Sequence, residues 1–332
     1  MKDYYISTIK KELGDEFEST FLLKDIKVSK SLTTTWANCL LFDRTGEIPG
    51  VIFGEDAVQA EKLKGKIVYV RGMAKPNNGG LQIRIKTLRE SDAAADISDF
   101  VPGITQEQRA DLLKRLNVLI SGIKDRVLNQ LLRAVFGAYG KVYAGLPGGY
   151  RHHVFAGGLL AHTVEVAELT DIICRQKGGW YNGQATVDRE LAVTGALLHD
   201  LGKCMEFKPF PFGEKREDAP FLNYKIRGSF LVSQIIMNLA AQLPESENKA
   251  KDIEKLKAIM PLLSNMALNC HKRNDEPPRT KEGRIVQNAD VVSADSDAYD
   301  FEEESFTQEK PEGGFFYSRY FGCNMLAAGK EE

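Results

Sequence analysis

The chain has 332 residues, 43% of them hydrophobic, and a formal net charge of −2. That length suits two domains with real cores, no apolar run approaches the ~18 residues of a membrane span, and Met1-Lys2-Asp3-Tyr4-Tyr5 lacks a signal peptide's apolar stretch. Five scattered cysteines (Cys39, Cys174, Cys204, Cys270, Cys323) without CxxC spacing exclude a disulfide framework and a zinc ribbon, and point to the cytoplasm.

Residues 1–18 read as a polar arm or short helix. From 19 to 90 the pattern is strand-like. Phe21 to Val28, Trp36 to Asp43, Gly46 to Phe53, Lys66 to Gly72 and Leu81 to Lys86 are separated by turn residues, and the last two alternate apolar and basic side chains. A short helix, Ala57 to Leu63, falls between the third and fourth runs. Five strands with a helix in that position fit an OB-fold β-barrel. Between 19 and 89 twelve basic residues face six acidic ones, so this domain has a local charge suited to a polyanion. Lys27, Lys30, Arg71, Lys75, Arg84 and Lys86 supply charge, and Trp36, at a strand start, is the candidate ring for stacking a base. Phe42 and Phe53 are expected to fill the barrel.

Residues 91–104 read as a polar linker, and 105–298 as helical. Thr105 is a candidate cap for a helix carrying Leu112, Leu113, Leu116 and Leu119. Further helical runs lie near 123–140, 156–175, 188–200, 225–243, 252–270 and 283–296, and Pro261 is expected to start or kink a helix. Residues 299–332 form an acidic tail. Its Gly313-Gly314-Phe315-Phe316-Tyr317 cluster is left three fates: packing on a neighbour, covering the basic barrel, or staying mobile.

The most informative stretch is Leu197-Leu198-His199-Asp200-Leu201-Gly202-Lys203. Neighbours on an ideal helix point about 100° apart, so His199 and Asp200 share a metal only where the backbone brings both inward. Gly202 permits a change of direction there. All five histidines fall between 152 and 271, with His162 on one helical run and Asp290 on another. Two imidazoles and two carboxylates suit a borderline divalent ion, Mn²⁺, Fe²⁺ or Co²⁺, with positions left for water and phosphate. Asp200 and Lys203 are the candidate catalytic residues, Lys203 as the cation that neutralises a non-bridging phosphoryl oxygen.

Gly157-Gly158-Leu159-Leu160-Ala161-His162-Thr163, Leu198-His199-Asp200-Leu201-Gly202-Lys203 and Asn288-Ala289-Asp290 resemble the signature of the HD-domain metal-dependent phosphohydrolases. An OB-fold followed by an HD domain resembles the YhaM-type 3′–5′ exoribonucleases. Asp96-Ile97-Ser98-Asp99-Phe100-Val101-Pro102 and His152-His153-Val154-Phe155-Ala156-Gly157-Gly158 also look like that family. The resemblance implies an α+β multidomain chain, a five-stranded OB-fold barrel followed by an all-α HD bundle. It implies Mn²⁺-type-metal-dependent removal of nucleotides from the 3′ ends of single-stranded RNA, or of DNA, and a homo-oligomer. Mg²⁺ is a further candidate ion.

The same resemblance leads to an expected His after Gly228 and a His-His pair near 270–271; this chain has Ser229 and Cys270-His271. A single metal is therefore expected. Cys270 is read as a soft ligand or a small buried hydrophobe. Arg151, His152, His153 and His271 are candidate substrate-phosphate or accessory metal contacts. The loop Lys208-Pro209-Phe210-Pro211-Phe212-Gly213 is either a lid that stacks a base or a rigid plug. Two other functions stay open: hydrolysis of small or cyclic nucleotides, and a catalytically weak nucleic-acid-binding scaffold.

Overall fold

The computed structural model describes residues 4–9, 14–77, 80–91, 99–100, 103–149, 152–177, 186–207, 216–271, 276–310, 312–318 and 320–328. The chain divides near residue 105 into two compact units.

The first unit opens with a short helix, α1 (Ile6–Ile9), and then builds a barrel from β1 (Glu16–Lys30), β2 (Thr35–Asp43), β3 (Gly46–Phe53), β4 (Ile67–Asn77) and β5 (Gly80–Glu90). The strands close in the order β1-β2-β3-β5-β4, antiparallel except for β3 beside β5. Helix α2 (Glu55–Gln59), continued by the 3₁₀ turn Ala60–Leu63, joins β3 to β4. This is the OB-fold barrel that the alternating runs suggested. Phe17, Phe21, Leu23, Leu41, Ile48, Ile52, Val68, Val70 and Ile83 fill it.

Two details differ from the sequence reading. Strand β1 begins at Glu16, because Phe17 and Ser19 turn inward while Glu16 and Glu18 continue the alternation outward. The arm is also not a free polar segment. Ile6 and Ile9 are buried in the barrel core, and burial of each contributes roughly 1.5–3 kcal/mol. The Asp43 carboxylate accepts the Ile6 N–H at 2.9 Å and the Thr45 hydroxyl at 2.6 Å, tying the arm to the end of β2.

The second unit is helical: α3 (Gln106–Ser121), α4 (Arg126–Tyr143), α5 (Gly158–Lys177), α6 (Arg189–Leu198), α7 (Lys203–Glu206), α8 (Tyr224–Gln242), α9 (Lys249–Asn269) and α10 (Lys281–Glu309). Side-chain oxygens cap α4, α6, α8 and α10. Asp125 accepts from Val127 and Leu128 N–H, Asp188 from Leu191, Asn223 from Lys225 and Ile226, and Thr280 from Gly283. Every residue of α6 from Leu191 to Leu198 is buried, as suits a helix apolar on all sides. Helix α9 runs through Pro261, so no helix starts there. Helix α10 continues past 298 to Glu309, and a hairpin follows, β6 (Gly314–Ser318) paired with β7 (Cys323–Ala327). Phe316 stacks on Phe306 with ring centroids 5.2 Å apart. The acidic composition of this segment hid both the helix extension and the hairpin.

Candidate metal centre and nucleic-acid face

Three elements bring the centre together. His162 lies one turn into α5. His199 caps the C-terminus of α6, and Asp200 follows as the chain turns into α7. Asp290 lies on α10. The helix break at His199 sends both neighbours inward. Gly202 has an ordinary helical φ of −65°, so its role is close approach: a Cβ there would meet the Tyr224 carbonyl oxygen at 1.8 Å. Helix α8 therefore packs directly on the turn that carries the pair.

His162 Nε2 is 3.0 Å from Asp290 Oδ1, 3.5 Å from Asp200 Oδ2 and 3.3 Å from His199 Nε2. His199 Nε2 is 3.4 Å from Asp200 Oδ2 and 3.7 Å from Asp290 Oδ1. All four residues are buried. The opposite ring nitrogens are engaged elsewhere. His199 Nδ1–H donates to the Ala196 carbonyl at 2.7 Å, since a carbonyl only accepts. His162 Nδ1 faces Ser293 Oγ at 3.0 Å, and that hydroxyl donates to Glu165 Oε2 at 2.9 Å. The Nε2 atoms of both histidines and one carboxylate oxygen of each aspartate thus converge on one point. Asp200 Oδ1 is buried with no hydrogen-bond partner among the described residues. Such a donor set calls for a cation, and two imidazoles with two carboxylates fit a divalent ion. His162, His199 and Asp290 form one group of ligand atoms lying within 4.8 Å of one another.

Burial opposes ionisation of Asp200, but the Lys203 ammonium and then His199 hold its carboxyl well below the usual range. Burial likewise opposes ionisation of Asp290, and hydrogen bonds to His162 and His199 outweigh it. Burial pushes His162 down. In His199 burial is outweighed by the two carboxylates, which raise it.

Lys203 is buried and spends two of its three protons inside the protein, on Asp200 Oδ2 at 2.6 Å and on the Gly148 carbonyl. Its ammonium lies 5.2 Å from the ring centroid of Tyr224. Tyr224 also meets His271 edge-on at 5.0 Å. His271 donates from Nε2 to the Ala267 carbonyl and turns Nδ1 toward Asp290 Oδ2, 4.0 Å away. It stands at the rim of the centre, its pKa lowered by burial to about 4. Cys270 is turned elsewhere: its thiol donates to the Gly283 carbonyl, and burial pushes its pKa up. Ser229 accepts from Ser233 through its carbonyl.

The His152-His153 turn sits on the other side of His162, its rings 4.9 and 5.1 Å from that imidazole. His152, His153 and His162 form a second group of ligand atoms within 4.8 Å. His153 Nε2 bonds Glu165 Oε2 at 3.1 Å, and its backbone N–H bonds Asp297. These anchors hold His153 at φ 49°, a left-handed conformation uncommon for a residue with a side chain. Sequence reasoning missed Glu165, Ser293, Asp297 and Tyr224. The first three follow their partners at helical spacing, three residues after His162 and three and seven after Asp290, which was the available signal. Arg151 and the loop 208–215 lie outside the described residues.

On the barrel, Trp36 pairs with Phe53 across β2 and β3. Phe53 is 47% exposed, so it does not fill the barrel: the buried residue is Ile52, and Phe53 is the next position outward. Phe42 is half-buried, with Lys24 over its ring. Arg84 lies over the Phe53 ring at 5.8 Å. Register aligns Lys27, Asn38, Val51 and Arg84 in one row from β1 to β5. Lys30 and Lys75 are exposed at strand ends. Arg71 and Lys86 are committed differently. Glu16 holds Arg71 at 2.5 Å and Lys86 at 2.8 Å.

Residues 159–295 match the family model of the HD domain. The chain is 26% identical over 295 residues to a protein of Halalkalibacterium halodurans named 3′-5′ exoribonuclease YhaM, covering 85% of this chain and 84% of that one. Proteins of the same name from Listeria innocua and Listeria monocytogenes are each 23% identical, over 94% of both chains. Residues 159–295 are thus similar to the HD domain, and the chain is similar over most of its length to the proteins named 3′-5′ exoribonuclease YhaM.

Proposed function

We propose that this chain is a metal-dependent phosphodiesterase that removes nucleotides from the 3′ end of single-stranded RNA, and that its barrel captures the strand. The observation that carries the reading is the convergence of His162, His199, Asp200 and Asp290 on one point. A divalent ion bound there, Mn²⁺ in our assignment, polarises a phosphoryl oxygen and lowers the pKa of water. The chain's own residues do the rest. Asp200 and Asp290 supply the negative charge that holds the ion. Lys203 fixes Asp200 and keeps one proton for a phosphate oxygen. The His152-His153 turn stands beside the centre, its rings next to that of His162. Trp36, Phe53, Arg84 and Lys27 give the barrel stacking rings with cations, as a sequence-tolerant single-strand binder needs.

Relatives named exoribonuclease support RNA as substrate; single-stranded DNA is the competing strand. Five free thiols fit a reducing compartment, the cytoplasm. We also propose a homo-oligomer, by analogy with the family.

The test is incubation with Mn²⁺ and end-labelled single-stranded RNA or DNA. A ladder shortening from the 3′ end is expected, abolished by Asp290→Asn with strand affinity kept. Turnover of mononucleotides or cyclic nucleotides with intact oligomers would replace this reading with a small-nucleotide hydrolase. Chelator-insensitive binding without product would replace it with a scaffold.

A further inference from the structure

Helix α10 presents Asp290, Ser293 and Asp297 along one face, and α5 presents His162 and Glu165 one turn apart. Between them runs a directed chain of hydrogen bonds. Glu165 is a carboxylate and only accepts. The Ser293 hydroxyl at 2.9 Å must therefore donate to it. That leaves the serine's lone pairs for His162 Nδ1, 3.0 Å away, which carries the hydrogen. His162 Nε2 is then bare and turned to the centre. His153 Nε2 holds the same Glu165 oxygen as well, at 3.1 Å. His153 itself is pinned through its backbone, N–H to Asp297 and carbonyl to the Gly148 N–H at 2.8 Å.

We propose that Glu165 is a positioning residue for the metal centre, acting through Ser293 to fix the tautomer and ring orientation of His162. The inference rests on the metal reading of the centre but not on any particular substrate. Its energetic logic is that of outer partners of metal-bound imidazoles. A carboxylate behind the ring selects the tautomer and raises ligand basicity, and its loss typically weakens binding by about 10–100-fold. Here a hydroxyl is interposed, so the effect needs both residues. Ser293 meets Glu165 through the packing of α5 on α10, which is why neither residue belongs to the motifs that carry the candidate ligands.

The experiment measures Mn²⁺ affinity of the full chain without nucleic acid, by loss of the free-ion EPR signal. Glu165→Gln and Ser293→Ala are each expected to weaken binding about 10–100-fold. The double variant is expected to be no weaker than the worse single, because one acts through the other. Glu168→Gln, one turn further along α5 and paired with Arg115, is the control and should bind as the parent does. Long-range ¹⁵N NMR of the metal-free protein, labelled at histidine, should place the His162 proton on Nδ1 in the parent and shift it toward Nε2 in both relay variants. Thermal unfolding checks that both remain folded. Parent-like affinity in both variants, or an unchanged His162 tautomer, overturns the proposal. If affinity falls as expected yet no oligonucleotide is ever shortened, the relay stands and the exonuclease reading fails.

Discussion

Gly202 and Tyr224 touch backbone to backbone: a Cβ on Gly202 would lie 1.8 Å from the Tyr224 carbonyl oxygen and 2.4 Å from the Gly228 nitrogen. The turn bearing His199 and Asp200 is wedged against the first turn of α8, and no side-chain rotation relieves a clash with backbone. Gly202→Ala should push α8 away, costing about 1–3 kcal/mol or more by overpacking. The displaced turn should also bind Mn²⁺ more weakly. Urea unfolding and ion titration check both, and a parent-like midpoint with parent-like affinity would contradict the packing described.

Asp200 and Lys203 form a buried pair at 2.6 Å, with side chains 1% and 6% exposed. Removing one partner of such a pair leaves a charge without compensation, a loss of about 3–5 kcal/mol. Asp200→Ala should therefore lower stability in chelator, quite apart from losing the ion. Adding Lys203→Met to that variant should recover part of the loss. Urea midpoints of the parent, both singles and the double close the cycle. If the second substitution deepened the loss, Lys203 would be held by Gly148 and its packing, not by Asp200.

The cluster of His162, His199, Asp200 and Asp290 was legible because its residues carry chemistry in recognisable local settings: an apolar helix ending in His-Asp, a Gly-Gly-Leu-Leu helix with a histidine, an aspartate in a helical run. Glu165 and Ser293 were not, since helical spacing from His162 and Asp290 alone does not distinguish a glutamate that bonds a serine on another helix from a solvated one. In the barrel, period-two alternation gave all five strands. It also placed Phe53 outward, one step from buried Ile52, but aromatic bulk pointed to the core. Arg71 and Lys86 counted as free charge until the register put Glu16 and Glu18 beside them. Strand pairing, which one sequence does not specify, decides which cations remain available.

Asp125 caps α4, accepting two backbone N–H bonds at 3.0 Å and pairing with Lys255. Partial burial opposes its charge, but Lys255 and those N–H groups hold its pKa below the ordinary value. A depressed folded pKa means stability that is present above the unfolded value, about 3.9, and lost as pH falls through the folded one. Asp125→Ala should cost about 0.5–2 kcal/mol at neutral pH. The gap between parent and variant should narrow as the pH drops below about 4. Guanidinium unfolding at several pH values reads it; a gap that widened in acid would place the stabilisation elsewhere.

On the barrel the prediction concerns which cations and rings meet the strand. Trp36 and Phe53 are cross-strand neighbours, and Arg84 lies over the second ring. Lys27 shares Arg84's row, and no ion pair engages it among the described residues. Trp36→Ala should weaken single-strand affinity by about 1–3 kcal/mol, one stacked base. Arg84→Ala and Lys27→Ala should each lower both affinity and the slope of log K against log salt, by roughly 0.7 for each phosphate no longer neutralised. Arg71→Ala and Lys86→Ala should leave that slope nearly unchanged, because their charge is already matched by Glu16 and Glu18. Fluorescence anisotropy with a labelled oligonucleotide at several salt concentrations separates the two groups. A large slope change in the Glu16-bound pair, with none at Arg84 and Lys27, would move the path of the strand to the β1–β4–β5 side of the barrel.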